Sequence, residues 1–279
     1  MLKKIRLCIA ILVGVILLYP IFFVFFGSLM GNEEVREYLL PIMTNTNRYS
    51  KFFLLPSWYT LQFYVELLLD TPDFYIMFWN SVKVSVFIII GQLIVSTPAA
   101  WSFARYEFAG KKVLFQLYIL LMVLPFVVMM LPQYLVLKRL QLLDSLWAII
   151  LPGIFSTFPV FLTQYYFRKI PASVIETAKL DGADEWKIFY KIGIPLAKPA
   201  IFTSVILNFI DYWGTMEQLT VFIESRRYWT LPILITSIKL DNAGITFVAS
   251  VFSVIPPVLL ILYGKEDLEE GLASVSLKG

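Results

Sequence analysis

The sequence predicts an all-α membrane protein that crosses the bilayer six times. Of its 279 residues, 59% are hydrophobic and only 15% are charged. The mean hydropathy of +0.76 is far above that of soluble proteins, so lipid must be the solvent for much of the apolar surface. Helices are expected because lipid leaves open backbone groups without partners, and because the alternation of membrane β-strands is missing.

Six stretches are long and apolar enough to cross a hydrocarbon core of about 30 Å. The first follows basic residues near the start of the chain. Its apolar run is longer than that of a signal peptide and no small-residue cleavage site follows, so we interpret it as a retained anchor. Together the stretches predict one transmembrane domain over residues 1–279, with spans at residues 7–29, 78–103, 113–136, 146–167, 200–222 and 245–263.

The distribution of basic residues predicts the orientation. Six spans place both termini on one side, and this side also holds the polar segment 170–199 and more Lys and Arg than the other. The positive-inside rule therefore predicts a multi-pass membrane protein with both termini in the cytoplasm. Residues 30–75 are then external. Thr60 can cap a short helix over 61–69, and the aromatic residues of this segment either anchor it at the membrane surface or offer a docking surface.

Several classes of site are excluded by composition. Histidine is absent and the one cysteine, Cys8, lies in the first apolar run, so metal sites built on His and Cys, His-assisted nucleophiles and disulfides are not expected. No basic patch with interleaved aromatic residues suggests nucleic acid. The pair Gly110-Lys111 lacks the remainder of a phosphate-binding loop. We therefore expect no catalytic residue, no metal and no cofactor in this chain.

The segment 170–199 is a polar region between two apolar spans and must project into water. Ser173 and Glu176 fit a capping box at the start of one helix, and Asp181 can cap a second. Gly182 allows a sharp turn between the two helices. Gly193 and Pro195 are expected to end the second helix, which gives a helix, a bend, a second helix and a stop.

Apolar residues of this segment recur at helical spacing. They predict one face with small residues at its centre, which suits docking into a groove of a partner protein. An ordinary amphipathic segment on the membrane surface is the alternative. The predicted face contains Ile175, Ala178, Gly182, Trp186 and Phe189.

The same segment resembles the coupling loop of binding-protein-dependent ABC importer permeases. That loop has the pattern Glu-Ala-Ala, then Gly, then Ile-x-Leu-Pro. Here the pattern is found as Glu176-Thr177-Ala178, Gly182 and Ile192-Gly193-Ile194-Pro195, with two departures that are small in volume. Further similarity, from about residue 60 to the end, is to carbohydrate permeases of the maltose-permease type: Asn80-Ser81, the run from Pro98 to Arg105, Leu151-Pro152, the run from Phe167 to Pro171, and the tail from Glu270 to Gly279.

The resemblance implies the type I importer permease fold and a set of partners. Such a subunit pairs with a second homologous permease, forms half of the translocation path and receives sugar from an extracytoplasmic binding protein. Two ATP-binding subunits bind ATP and Mg²⁺ and carry out hydrolysis, so this chain itself would not be an enzyme. The ATPase-coupling residues implied are Glu176, Ala178, Asp181, Gly182, Ala183 and Pro195.

Polar residues along the fifth predicted span suggest where substrate passes. Carboxylates and amides bind sugar hydroxyls, and aromatic faces cover sugar rings. Ionisable groups within spans are costly and usually face a cavity or a partner. The candidate pathway residues are Asn208, Asp211, Trp213 and Glu217. Alternatively, the carboxylates of Asp211 and Glu217 meet water or pair with Arg226 or Arg227. The Trp-Asn pair of the family is Trp213-Gly214 here, so its substrate contacts cannot be carried over.

Three other functions remain alternatives. The carboxylates of Asp211 and Glu217, six residues apart, also suit glycoside hydrolysis. An ion-coupled secondary transporter should show inverted repeats and broken helices, and neither is apparent in the sequence. A polytopic membrane enzyme should have a cluster of acidic residues or His at the end of a span. The sequence does not name the transported sugar.

Overall fold

A computed structural model describes residues 2–44, 55–236 and 242–276. Every regular element in these ranges is helical, which confirms the predicted all-α class. By length and composition, four helices could cross a membrane, and the number rises to six if each of two bent helix pairs is one span. Two parts of the predictions lie outside the described ranges: residues 45–54 of the segment 30–75, and Lys278-Gly279 at the end of the tail motif.

The chain contacts divide into two compact units. One contains Met1–Phe78 and Thr230–Pro256, and the other contains Trp79–Trp229 and Pro257–Gly279. Two long helices, α4 (Pro72–Arg105) and α15 (Ala243–Tyr263), contribute residues to both units.

The first unit contains the N-terminal helix and the segment 30–75, which was predicted to be external. Its further helices are α1 (Leu2–Gly27), α2 (Asn32–Met43), α3 (Gln62–Val65), which continues as a π-helix over Glu66–Asp70, and α14 (Leu231–Thr236). Close packing at Gly244, where a Cβ would overlap the Phe63 ring, brings α3 against α15.

The segment 30–75 holds the short helix expected after Thr60, but Leu61 and not Thr60 is the N-cap of this helix. The Thr60 hydroxyl accepts a 3.1 Å hydrogen bond from the Gln62 N–H. Helix α2 was not predicted, because its sequence is too polar to stand out by hydropathy. Aromatic residues of the segment divide into two groups. Phe63 and Phe74 are buried, whereas Trp58 and Tyr59 are exposed, so packing and surface roles both occur.

The second unit contains the remaining spans and the polar segment. Its helices are α5 (Lys111–Val123), α6 (Phe126–Arg139), α7 (Trp147–Ile154), α8 (Phe158–Lys169), α9 (Ala172–Leu180), α10 (Glu185–Ile188), α11 (Ile194–Leu196), α12 (Lys198–Trp213), α13 (Glu217–Phe222) and α16 (Lys265–Ser276). A π-helix over Phe189–Gly193 joins α10 to α11, and a 3₁₀ turn covers Arg226–Tyr228.

The prediction of one continuous helix over residues 113–136, the third span, is wrong. Helices α5 and α6 meet at 108°. Between them, Leu124 and Pro125 have extended backbones, with ψ angles of 126° and 145°. Proline has no N–H to donate and disfavours helical geometry in the residue before it. The chain therefore leaves the helix at Leu124 and starts a new one at Phe126.

The fourth and fifth predicted spans also contain breaks. Residues 155–157 separate α7 from α8. The fifth helix ends at Trp213, and α13 begins only at Glu217, so continuous helix to residue 222 is wrong. Gly214, a poor helix former, follows α12 directly. At its other end α12 is bent by 70° from the helices before it, at Ala197.

An aromatic cluster fixes the polar segment against the spans. The ring of Trp101 on α4 lies 5.1 Å from that of Phe167 on α8 and 5.6 Å from that of Phe189. Gly193 passes beneath the same indole, where a Cβ would lie 2.8 Å from Cζ3. The second unit therefore has a core that joins two spans to the segment 170–199.

Helix α4 forms hydrogen bonds near both of its ends within this unit. Asn80 Nδ2 donates to the carbonyls of Arg227 at 2.8 Å and Trp229 at 3.0 Å. Arg105 Nη2 donates to the carbonyl of Ile170 at 2.7 Å. One helix thus holds the loop after α13 and the start of the polar segment.

The C-terminal helix α16 packs closely on α12. A Cβ at Gly271 would overlap Thr203 Oγ1. The Thr203 hydroxyl donates to the Asp267 carbonyl at 3.1 Å, and the Tyr166 hydroxyl donates to the carbonyls of Glu270 and Gly271. The glycine of the tail motif is therefore required by close helix approach.

Candidate functional site

The coupling segment, residues 170–199, turns sharply at the predicted glycine. Gly182 has a φ of +78°, in the left-handed region. Its N–H donates to the Lys179 carbonyl at 3.0 Å, and the Ala183 N–H donates to the Ala178 carbonyl at 2.9 Å. These two bonds form a Schellman motif, which satisfies the free carbonyls at the end of α9. The turn predicted at Gly182 is confirmed.

The predicted caps of this segment are wrong. Helix α9 begins at Ala172 with Pro171 as its N-cap, so Ser173 already lies inside the helix and forms no cap. Because Gly182 closes α9, Asp181 belongs to that helix's C-terminus. Asp184 instead caps α10, and its Oδ1 accepts from the Lys187 N–H at 2.9 Å.

The predicted stop at Gly193 and Pro195 is also wrong. Gly193 lies in the π-helix and continues directly into α11. Pro195 follows within α11, one residue before this helix ends. The helix therefore runs to Leu196.

The predicted apolar face points largely toward the protein's own core. Phe189 is 3% exposed, and Ile175 and Ala178 pack against the Trp101–Phe167–Phe189 cluster. Gly182 and Trp186, predicted on the same face, are instead exposed, Trp186 by 64%, and Leu180 is 88% exposed. The predicted face is therefore divided between the protein's own core and the surface open to a partner.

The candidate coupling residues divide between these two sides. Ala178 and Ala183 are half-buried against the core cluster. The others are exposed on the outer surface of the segment: Glu176, Asp181, Gly182 and Pro195.

A charged pair holds the turn of the coupling segment. Glu185 lies 2.6 Å from Lys179 Nζ and accepts a 2.9 Å hydrogen bond from the Tyr106 hydroxyl. Lys179, followed by Tyr106, lowers the pKa of the Glu185 carboxyl below its usual value. Burial, together with the neighbouring carboxylate of Glu185, raises the pKa of Tyr106. These contacts were not predicted, since nothing in the spacing links residues 106 and 185.

A cavity of about 470 Å³ lies where the broken helices of the second unit meet α12. The breaks α5–α6 and α7–α8 both contribute to its wall, with Leu124 from the first and Ser156 from the second. Within a membrane, irregular backbone is tolerated only where it is buried or lines an aqueous cavity. The breaks and the cavity thus form one feature.

Amide and carboxylate groups line this cavity. Asn208 and Asp211 of α12 face it together with Tyr212. Two buried amide oxygens on its wall, Gln133 Oε1 and Gln218 Oε1, have no hydrogen-bond partner in the described part of the chain. Such groups cost free energy when left unpaired, so they suit a polar ligand or water. Gln133 was missed, although a lone amide within an apolar span is a signal for it.

The four predicted pathway residues do not lie together. Asn208 and Asp211 line the cavity, whereas Trp213 and Glu217 do not. Trp213 is 4% exposed and stacks on Phe209, with ring centroids 5.4 Å apart. Glu217 is exposed at the start of α13. No ion pair joins either carboxylate to Arg226 or Arg227 in the described ranges.

Comparison with known proteins identifies the family. Residues 92–264 match the family described as "Binding-protein-dependent transport system inner membrane component". The chain belongs to this family. It is also 28% identical over 271 residues to the arabinooligosaccharides transport system permease protein AraQ of Bacillus subtilis, covering 96% of this chain and 93% of that protein.

Two solved structures share the fold of this permease. A bacterial ABC transporter involved in the import of the acidic polysaccharide alginate matches with a TM-score of 0.79 and 24% identity, over 95% of this chain and 96% of that one. A bacterial alginate ABC transporter in complex with an alginate pentasaccharide-bound periplasmic protein matches with a TM-score of 0.62 and 14% identity, over 94% and 93%. The expected permease fold is confirmed.

Family membership separates the alternative functions. A secondary transporter, a glycoside hydrolase and another membrane enzyme are not favoured. Broken helices were expected only of a secondary transporter, and none was apparent in the sequence. The structure contains them, so that criterion was wrong: this permease breaks its helices beside its own cavity.

Proposed function

We propose that this permease is one membrane-spanning subunit of an ATP-driven importer of oligosaccharides. The observation that carries the proposal is the cavity beside α12, where unpaired amide oxygens and the Asp211 carboxylate face a space of about 470 Å³. This volume is within the range of small-molecule sites. A second homologous permease would supply the other half of the path.

The chemistry of the cavity suits sugar hydroxyl groups. A hydroxyl donates one hydrogen bond and accepts others, so it can satisfy both amide oxygens and carboxylates. Asn208, Asp211 and Gln218 offer such acceptors from one side of the cavity. Arabinooligosaccharides and alginate, named for the related proteins, are carbohydrates of different charge. We therefore propose that the substrate is an oligosaccharide and that the external binding protein selects which one.

The coupling segment is proposed to bind the ATPase subunits on the cytoplasmic side, with both termini on the same side of the plasma membrane. ATP and Mg²⁺ would be bound by those subunits, and this chain would not be catalytic. The exposed residues Glu176, Asp181 and Gly182 would contact the partner. Ala178 and Ala183 would support the turn from within.

The direct test is transport by the purified complex in proteoliposomes. Uptake of a labelled oligosaccharide should require internal ATP, both ATPase subunits and the external binding protein. A panel of binding-protein-loaded glycans, scored by stimulated ATP hydrolysis, would identify the sugar. Uptake driven by an ion gradient without ATP would contradict the proposal.

A further inference from the structure

A second polar pocket lies at the opposite end of the spans from the substrate cavity, beside the coupling segment. It has a volume of about 400 Å³ and is formed by the ends of α4, α5 and α8. Phe103 and Phe115 provide apolar wall, and Gln116 and Gln164 provide amides. The pocket is not used by the proposed transport path.

Three cations and one carboxylate face this pocket. Lys111 is already engaged, since its Nζ lies 2.8 Å from Glu107 Oε1 and 2.9 Å from the Tyr106 carbonyl. Lys112 and Arg168 form no hydrogen bond or ion pair within the described chain and are exposed at the rim. Both attract the Glu107 carboxylate, and three cations against one carboxylate leave the pocket with an excess of positive charge that can bind an anion.

Gln164 gives an independent sign that the pocket can hold a polar ligand. The residue is only 6% exposed, lies on α8 and lines the pocket. Among the described residues its amide has no hydrogen-bond partner, and the amide atoms are not enclosed by protein. The amide therefore reaches the pocket, where it can donate two hydrogen bonds to an oxyanion.

We propose that this pocket binds the phosphate headgroup of an anionic phospholipid. Arg168 and Lys112 would bind the phosphate oxygens at the rim, and the Gln164 amide would donate from within. Guanidinium and amide donors match phosphate geometry, and basic pockets between transmembrane helices at the cytoplasmic surface are a recurrent form of headgroup site. The cytoplasmic assignment rests on the proposed orientation.

Position and apolar surroundings favour a lipid over a free anion. The pocket lies where the helices leave the apolar region, which is the depth of headgroups. Next to it, α5 exposes a row of aliphatic side chains at helical spacing, along which acyl chains can lie. These are Val113, Leu117 and Leu120, with exposed fractions of 61%, 46% and 57%.

The test measures lipid retained by the full-length chain together with its co-purifying subunits. Native mass spectrometry after exchange into phosphatidylcholine, followed by titration with phosphatidylglycerol, should show preferential retention of the anionic lipid. Combining Lys112→Gln with Arg168→Gln should lower that retention about tenfold. The matched control is Lys169→Gln, which removes a neighbouring charge that does not line the pocket and should leave retention unchanged.

A second variant keeps every charge. Gln164→Leu should lower retention severalfold without lowering the unfolding temperature, because the amide it removes has no partner in the protein. Equal retention by the double variant and the Lys169→Gln control would overturn the proposal. Displacement of the lipid by excess inorganic phosphate would also overturn it, since the site would then bind a free anion.

Discussion

The Tyr106 hydroxyl donates a 2.9 Å hydrogen bond to Glu185 Oε2, so the loop after α4 holds the first residue of α10. Lys179 approaches the other carboxylate oxygen at 2.6 Å from the end of α9. The two helices of the coupling segment are therefore joined through one carboxylate. The orientation of the segment depends on the charge of that group.

Replacing Glu185 with Gln should remove a pH-dependent contribution to the free energy of unfolding. Because the folded pKa of Glu185 is lowered, its carboxylate stabilises the folded state above its ordinary pKa of about 4.3 and loses this contribution as pH falls through the folded value. For a half-exposed pair we expect about 0.2–1 kcal/mol. The check is the unfolding temperature of wild type and variant. Their difference should be present at neutral pH and vanish in acid, whereas a constant difference would contradict this account.

Gly182→Ala should uncouple transport from ATP hydrolysis. The left-handed backbone at Gly182 costs an alanine about 1–2 kcal/mol, although no atom lies near the new Cβ. Gly110, with a φ of +81° and equally open surroundings, is a matched control outside the coupling segment. Both variants should lose similar stability, but only Gly182→Ala should lower sugar-stimulated ATPase activity. Equal activity of the two variants would argue against a coupling role for this turn.

Gly271→Ala should loosen α16 from α12, because the new methyl group would overlap Thr203 Oγ1. Overpacking of this kind typically costs about 1–3 kcal/mol. In a Thr203→Ala background the cost should be smaller, since the colliding oxygen is gone. A double-mutant cycle on unfolding free energy measures this relief. Strictly additive effects would show that Gly271 is needed for another reason.

Asp211→Leu should reduce uptake more than Glu217→Leu, because only Asp211 lines the cavity. Loss of a carboxylate that binds a sugar hydroxyl should cost about 1–3 kcal/mol, and Asp211→Asn should be milder because it keeps the shape and part of the hydrogen bonding. The measurement is initial uptake in proteoliposomes at equal protein content. Trp213→Ala is a poor probe, since Trp213 is buried and its loss would leave a cavity. Equal uptake by the Asp211 and Glu217 variants would place the pathway elsewhere.

Cysteine labelling should fix the orientation of the membrane spans. In a Cys8→Ala background, a cysteine at the exposed position Tyr59 should react with an impermeant reagent from outside intact cells. One at the exposed position Lys187 should react only after the membrane is opened. Labelling of position 187 in sealed cells would reverse the proposed orientation.

The approximate positions of the apolar stretches could be predicted because lipid enforces long apolar helices. Four of the six stretches are single candidate helices, and the other two are candidates only as bent pairs. The interruptions within the spans could not be predicted. Pro20, Pro98 and Pro132 all lie inside helices, whereas Pro125 follows a sharp break. Hydropathy does not distinguish these prolines, because neighbouring helices decide whether a freed backbone group is satisfied.

At the coupling segment, the glycine turn was predictable from local chemistry, and the buried face was not. Helical spacing placed Ile175, Ala178 and Phe189 on one side correctly. It could not say whether that side meets a partner or the protein's own core, since this depends on Trp101, far away in sequence. The role of Glu185 was missed for the same reason, because its partners Lys179 and Tyr106 come from other elements. Gln133 could have been found, since a lone amide within an apolar span is a signal in the sequence.

Helix α4 has a mechanical consequence for the second unit. Between Asn80 and Arg105 it is a rod of roughly 38 Å, at 1.5 Å per residue. Asn80 is hydrogen-bonded to the loop after α13, and Arg105 is hydrogen-bonded to the Ile170 carbonyl. A displacement of that loop would therefore either move the start of the coupling segment or break a hydrogen bond at one end of α4. The helix can thus transmit motion from one side of the membrane to the other.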